Sequence, residues 1–222
     1  MTPKILPRSA RTLLCALAAG AALTACAPLL MGGAMIGSSL MVSDRRTTGA
    51  QVEDQSIEFK SIKRIGDVVG DRDHVNVTSY NRVVLLTGEA VSEADKAAIE
   101  RAVAGIDNVR SVVNEIAIGA ASSFGNRSND TFLTGKIKAS MVDAKDIQAN
   151  SFKVVTERGI VYLMGIVSER EANRATDIAR GVSGVQKVVR VFEIVSEADL
   201  AATQPRPVPT PVPAPASAPA RP

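Results

Sequence analysis

The chain has 222 residues, 45% of them hydrophobic and 22% charged, with a formal net charge of +3 and only 3% aromatic residues. That length is enough for two small domains with cores of their own. One histidine and two cysteines exclude a Cys/His metal site and a disulfide framework.

Three bases, Lys4, Arg8 and Arg11, precede an apolar stretch from Leu13 to Leu23. These are the basic and apolar regions of a secretory signal. Leu23-Thr24-Ala25-Cys26 closes it as a lipobox. Residues 1–25 are therefore read as a lipoprotein signal peptide, cleaved before a thioether-lipidated and N-acylated Cys26. At about 0.8 kcal/mol per buried CH₂, several acyl chains anchor a protein almost permanently. An ordinary secretory signal with a chance cysteine, or a short membrane helix, is the alternative. Cleavage would remove three bases and no acid, leaving 23 Lys+Arg against 23 Asp+Glu. The basic balance then belongs to the signal and is no nucleic-acid signature. Cys15 would leave as well, so the mature chain would have no disulfide. Ala27 follows the lipidated cysteine where enterobacterial lipoproteins held in the inner membrane carry Asp. This favours the outer membrane, with the body in the periplasm. Residues 26–43 are the acylated cysteine and an apolar spacer, shorter than the roughly 20 residues a spanning helix needs.

From residue 44 onward the dominant signal is self-similarity. The segment from Val75 to Gly88 aligns with that from Phe152 to Gly165 at an offset of 77, which becomes 76 after the glycine. Val91-Ser92-Glu93 then matches Val167-Ser168-Glu169, Gly105 matches Gly181, and Val112-Val113 matches Val188-Val189. In each copy, periodicity predicts a helix (Ser56 to Val69; Thr131 to Asp143) and then a hairpin of alternating apolar residues. The hairpin turns hold Ser79-Tyr80-Asn81-Arg82 and Thr156-Glu157-Arg158-Gly159. A second helix opens at Ser92 or Ser168 with capping-box spacing and ends near glycine. A last strand spans Ser111 to Ile118 or Lys187 to Val195. The fold class is α+β: two tandem αββαβ domains, each a three-stranded sheet with two helices on one face. The first spans residues 44–119, a Gly/Ser/Asn linker 120–129, and the second domain 130–196. Val83, Leu85 and Ile99 are expected in the first core, and Ile160, Tyr162 and Ile178 in the second. Residues 197–222, with eight of the eleven prolines, read as a solvated tail without a core.

These repeats resemble BON domains (bacterial OsmY and nodulation). The resemblance is carried by an acidic residue before helix one, the hairpin ending at Gly88 or Gly165, and the valine-rich strand from Gly105 to Val113 or Gly184 to Val189. With the lipobox, the chain resembles dual-BON outer-membrane lipoproteins. It implies a role in outer-membrane integrity, with outer-membrane assembly or division proteins as further partners.

No catalytic constellation is present. Ser92 and Ser168 read as helix caps without a base to activate them, and His74 as a surface residue. No metal site and no cofactor are expected, and neither enzyme activity nor nucleic-acid binding. Charge is asymmetric: residues 44–119 carry 10 bases and 13 acids, residues 127–196 carry 11 bases and 8 acids. The second domain therefore suits an anionic surface. On its first helix Leu133, Ile137 and Met141 share a core face. Phe132 lies off that face, with Lys136 one turn on and Gly135 and Ala139 beside it. An aromatic beside a lysine and small residues is how a helix dips into a lipid interface. The resemblance implies the same: anionic phospholipid bound through Phe132, Leu133, Gly135, Lys136 and Ala139, with Trp in close relatives where this chain has Phe132. The alternative is that Phe132 caps the core or packs on the other domain. Phe59, near Lys63, has similar geometry but lies in the acidic domain, and packing is expected for it. A periplasmic chaperone-like or protein-binding scaffold, using sheet or hairpin edges, is the second functional reading.

Overall fold

The computed structural model describes residues 44–203. Cys26, the apolar spacer and the proline-rich stretch lie outside the described residues.

Each repeat folds as αββαβ. In the first, α1 (Thr48–Val69) leads into β1 (His74–Tyr80), β2 (Val83–Ala90), α2 (Glu93–Ala104), β3 (Ser111–Asn114) and a short β4 (Ala117–Ile118). In the second, α3 (Phe124–Asp143) leads into β5 (Lys153–Glu157), β6 (Ile160–Val167), α4 (Glu169–Gly181) and β7 (Lys187–Ile194). A short α5 (Glu197–Thr203) follows. The strand after the hairpin pairs parallel with the central strand, β2 with β3 and β6 with β7, and the hairpins are antiparallel.

The helices begin where hydroxyl caps place them. Thr47, Ser92, Ser123 and Ser168 each accept a backbone N–H from the first turn, and Ser168 with Glu171 completes a capping box. The hairpin turns are two residues long with both residues at positive φ: Asn81 and Arg82 at 49° and 68°, Arg158 and Gly159 at 54° and 72°. Three of these four are not glycine, so something must hold them. In the first repeat it is Asp54 of α1, which accepts the N–H groups of Asn81 (2.8 Å) and Arg82 (2.7 Å). In the second, Asp130 of α3 accepts those of Arg158 (2.8 Å) and Gly159 (2.9 Å). The acidic residue of each repeat thus locks its hairpin to its first helix. The matched Gly88 and Gly165 are also explained: an added Cβ would lie 2.0 Å from the His74 carbonyl oxygen or 2.6 Å from that of Ser151.

Two cores lie between helices and sheets. One gathers Ile57, Ile65, Val84, Leu86, Ile99 and Val103. The other gathers Leu133, Ile137, Met141, Val161, Leu163 and Ala175 among its members. A third apolar cluster joins Tyr80 and Leu85 of the first repeat to Tyr162 and Met164 of the second. The two sheets therefore pack back to back, with helices outermost on both sides.

This corrects the sequence reading of the core. Leu85 and Tyr162 are buried, but in the inter-domain seam, with Val83 and Ile160 half-buried beside them. The helix-facing residues are Val84, Leu86, Val161 and Leu163. Ile99 is fully buried in its own core, and Ile178 packs against the second. Helices also reach further than expected. α1 starts at Thr48, eight residues before Ser56, α3 takes in residues 124–129 of the expected linker, and α5 forms within the expected tail. Among the described residues no helix is long and apolar enough to cross a membrane.

Candidate functional site

α3 has two apolar sides. Leu133, Ile137 and Met141 face the core, with exposures of 3%, 0% and 1%. Asp130 shares that side and holds the hairpin, and Thr134 donates to Thr156 at 2.7 Å. At about 100° per residue, Phe124, Gly135, Ala139 and Val142 fall on the opposite side, with Phe132 at its edge. Phe124 is 82% exposed, Val142 69% and Phe132 63%. Gly135, Lys136 and Ala139 are exposed as well. The stripe from Phe124 to Val142 is about 27 Å long at 1.5 Å per residue.

Lys136 places its ammonium 5.0 Å from the centre of the Phe132 ring. This cation–π contact leaves both groups at the surface with the charge beside the ring. Of the five residues expected to form the site, four are brought together on this exposed face. Leu133 is not, because its side chain fills the core beneath Phe132, where it can support the site but not touch a surface outside. Phe124 and Val142 belong to the stripe and were missed. The Ser123 cap, with its hydroxyl accepting from Asn126, is the signal that would have extended the helix to Phe124.

Phe132 neither caps the core nor packs on the other domain. Nor does Phe59 pack as expected: it is 74% exposed on α1, between Val52 at 62% and Ile62 at 61%. The helix pairs cover opposite outer faces of the paired sheets, so these two stripes point away from each other.

The first hairpin lock and the seam both hold titratable groups away from their ordinary values. Burial alone would raise the Asp54 carboxyl. Its hydrogen bonds from Arg82, Ser79, Arg46 and Asn81 override this and hold it below the usual range. Tyr80 and Tyr162 are pushed up to about 12, in each case first by burial. Glu157 is raised by burial and by the neighbouring Glu89 charge, against the bond from Asn76. His74 is half-buried instead of standing free at the surface: its side chain is 25% exposed, between Glu89 Oε2 and Arg127 Nη1, both at 3.2 Å. Among the described residues, His74, Glu89 and Glu157 form a group with metal-ligating chemistry.

Comparison with known proteins adds two findings. The family model described as BON domain matches residues 53–120 and 129–196. The chain is also similar to curated proteins. It is 34% identical over 174 residues to the outer membrane lipoprotein DolP of Haemophilus influenzae, covering 77% of this chain and 89% of that one. It is 32% identical over 154 residues to a 21 kDa hemolysin of Actinobacillus pleuropneumoniae, covering 68% and 79%. Identity to the osmotically-inducible protein Y of Escherichia coli is 27% over 186 residues, covering 74% and 92%.

Proposed function

The chain belongs to the BON-domain family as a DolP-like protein with two such domains, and on that footing we propose that it is an outer-membrane lipoprotein whose second domain binds anionic phospholipid. The protein is anchored through Cys26, faces the periplasm, and supports outer-membrane integrity without catalysing a reaction. The observation that carries this reading is the exposed stripe of α3. Phe124, Phe132 and Val142 present apolar surface directly opposite a filled core, and Lys136 holds a cation at its edge. Such a helix lowers its free energy by lying in a headgroup layer, ring inward and ammonium at phosphate. The hydroxyls of Ser92 and Ser168 are occupied as helix caps, which fits a non-catalytic role. The test is sedimentation of residues 27–222 with phosphatidylglycerol and with phosphatidylcholine vesicles. Selective pelleting with the anionic vesicles is the expected result, and equal pelleting with neither or both would overturn it.

A second reading, a scaffold for a protein partner, draws on Val52, Phe59 and Ile62 of α1. They face away from α3 and stay clear when α3 lies on a membrane.

A further inference from the structure

The seam between the domains brings together side chains that the membrane reading leaves unused. His74 and Glu89 are directly opposite one another on β1 and β2. Glu157 ends β5 of the other domain. Strand alternation explains why they meet. His74 and Asn76 share the face of β1 that carries Tyr80 into the seam, and Glu89 shares the face of β2 that carries Leu85. One ligand atom from each of His74, Glu89 and Glu157 lies within 4.8 Å of the other two. We propose that these three residues bind a divalent transition-metal ion of the zinc class, and that the ion staples the two domains together.

A second observation points to a ligand. Glu89 is 1% exposed, and its Oε1 has no hydrogen-bond partner. It is ion-paired only at 3.6 Å, with Arg158 Nη1, on a side chain that is 48% exposed and able to turn outward. Oε2 has two contacts, the His74 ring nitrogen Nδ1 and the Ser122 backbone N–H at 3.1 Å. A buried carboxylate with an oxygen that accepts no hydrogen bond is costly, and a cation shared with His74 and Glu157 would relieve that cost. One imidazole and two carboxylates neutralise a divalent charge. Three protein ligands leave a fourth position for water. A cleft of about 330 Å³, lined by His74, Asn76, Thr134 and Glu157, opens beside the group and gives access.

The ligand set selects the metal. Calcium and magnesium take six or more hard oxygen ligands, whereas a mixed imidazole and carboxylate set suits zinc. Arg127 donates to His74 Nε2, so the ring keeps its proton on Nδ1, toward Glu89. Metal binding at Nδ1 moves that proton to Nε2, and Arg127, in the first turns of α3, swings to solvent. Asn76 donates to Glu157 Oε2 at 2.8 Å and holds the third ligand in place.

His74 is the only histidine in the chain, so its ring nitrogens report on the site in unmodified protein. The experiment uses the full mature chain, untagged, chelator-treated and in detergent. Zinc should shift the His74 Nδ1 resonance, while calcium and magnesium at the same concentration should not. At a hundredfold excess over Kd, zinc should raise Tm by about 5–10 °C. His74→Asn and Glu157→Gln should each abolish that rise. An unmoved His74 resonance at millimolar zinc overturns the proposal, and so does a zinc-dependent Tm rise that persists in His74→Asn. If a variant fails to fold, the wild-type ring resonance alone decides.

Discussion

Arg45 grips Glu171 with both ends of its guanidinium, at 2.7 Å and 2.8 Å, and donates to the Ile166 carbonyl at 2.8 Å. The two side chains are only 9% and 6% exposed. Arg45 lies just before α1 of the first domain and Glu171 caps the second helix of the other, so a residue at the start of the first domain ties the domains together. Truncating one partner of a buried pair leaves an uncompensated charge and costs about 3–5 kcal/mol. Arg45→Ala should therefore lower Tm by roughly 6–20 °C, at about 2–4 °C per kcal/mol. Arg45→Met combined with Glu171→Gln should recover part of the loss, because no lone charge remains. Thermal unfolding of the three proteins checks both statements.

Acid should loosen the seam and the first hairpin together. Asp54 and Glu171 are held below their ordinary values by hydrogen bonds that outweigh burial, and Glu193 first by its bond from Arg110. A carboxylate depressed in the folded state contributes stability above its unfolded pKa of about 3.9 or 4.3, and loses it as pH falls through the folded value. Tm should stay nearly level from neutral pH to about 5 and then fall steeply below about 4. Asp54→Asn should lower Tm at neutral pH and flatten the acid limb. Thermal scans across that range test the sign, and a Tm that rises as pH falls below about 4 would contradict it.

Leu85 shows where sequence reading stopped. Val83 to Leu86 and Ile160 to Met164 are apolar at every position, so alternation cannot tell which side faces the helices. Such unbroken runs belong to strands covered on both faces, and the second cover is the other repeat. Topology, caps and turns were legible because their signals are local: Ser92, Ser168, Gly105 and the aligned glycines. The face of α3 was legible for the same reason, through Phe132 and Lys136. The meeting of His74 with Glu157, 83 positions apart, was not, because only the packing of two complete sheets creates it. Leu85→Asp should therefore part the domains while leaving each αββαβ unit folded. Small-angle scattering should show an expanded particle, with helical circular dichroism largely retained. Leu86→Asp, one residue on, should instead unfold the first domain, and equal effects of the two changes would contradict the assignment.

Phe132 and Lys136 make the most direct test of the membrane reading. Seating a phenylalanine ring in an interface is worth roughly 1.5–3 kcal/mol, and a base beside an anionic surface about 1 kcal/mol. Partial insertion keeps the ring toward the lower figure. Phe132→Glu with Lys136→Glu should therefore weaken binding to phosphatidylglycerol vesicles by about one to two orders of magnitude, at roughly 1.4 kcal/mol per tenfold. Folding should survive, because Phe132 is 63% exposed and the core beneath it is filled by Leu133. Phe124→Glu and Val142→Glu should each weaken binding by a smaller factor, since they extend the same stripe. Phe59→Glu is the discriminating control. It removes an aromatic that is even more exposed than Phe132 from the opposite side of the protein, so vesicle binding should not change. If Phe59→Glu abolishes binding and the α3 changes do not, the lipid-facing side is α1, and the site has been placed on the wrong domain.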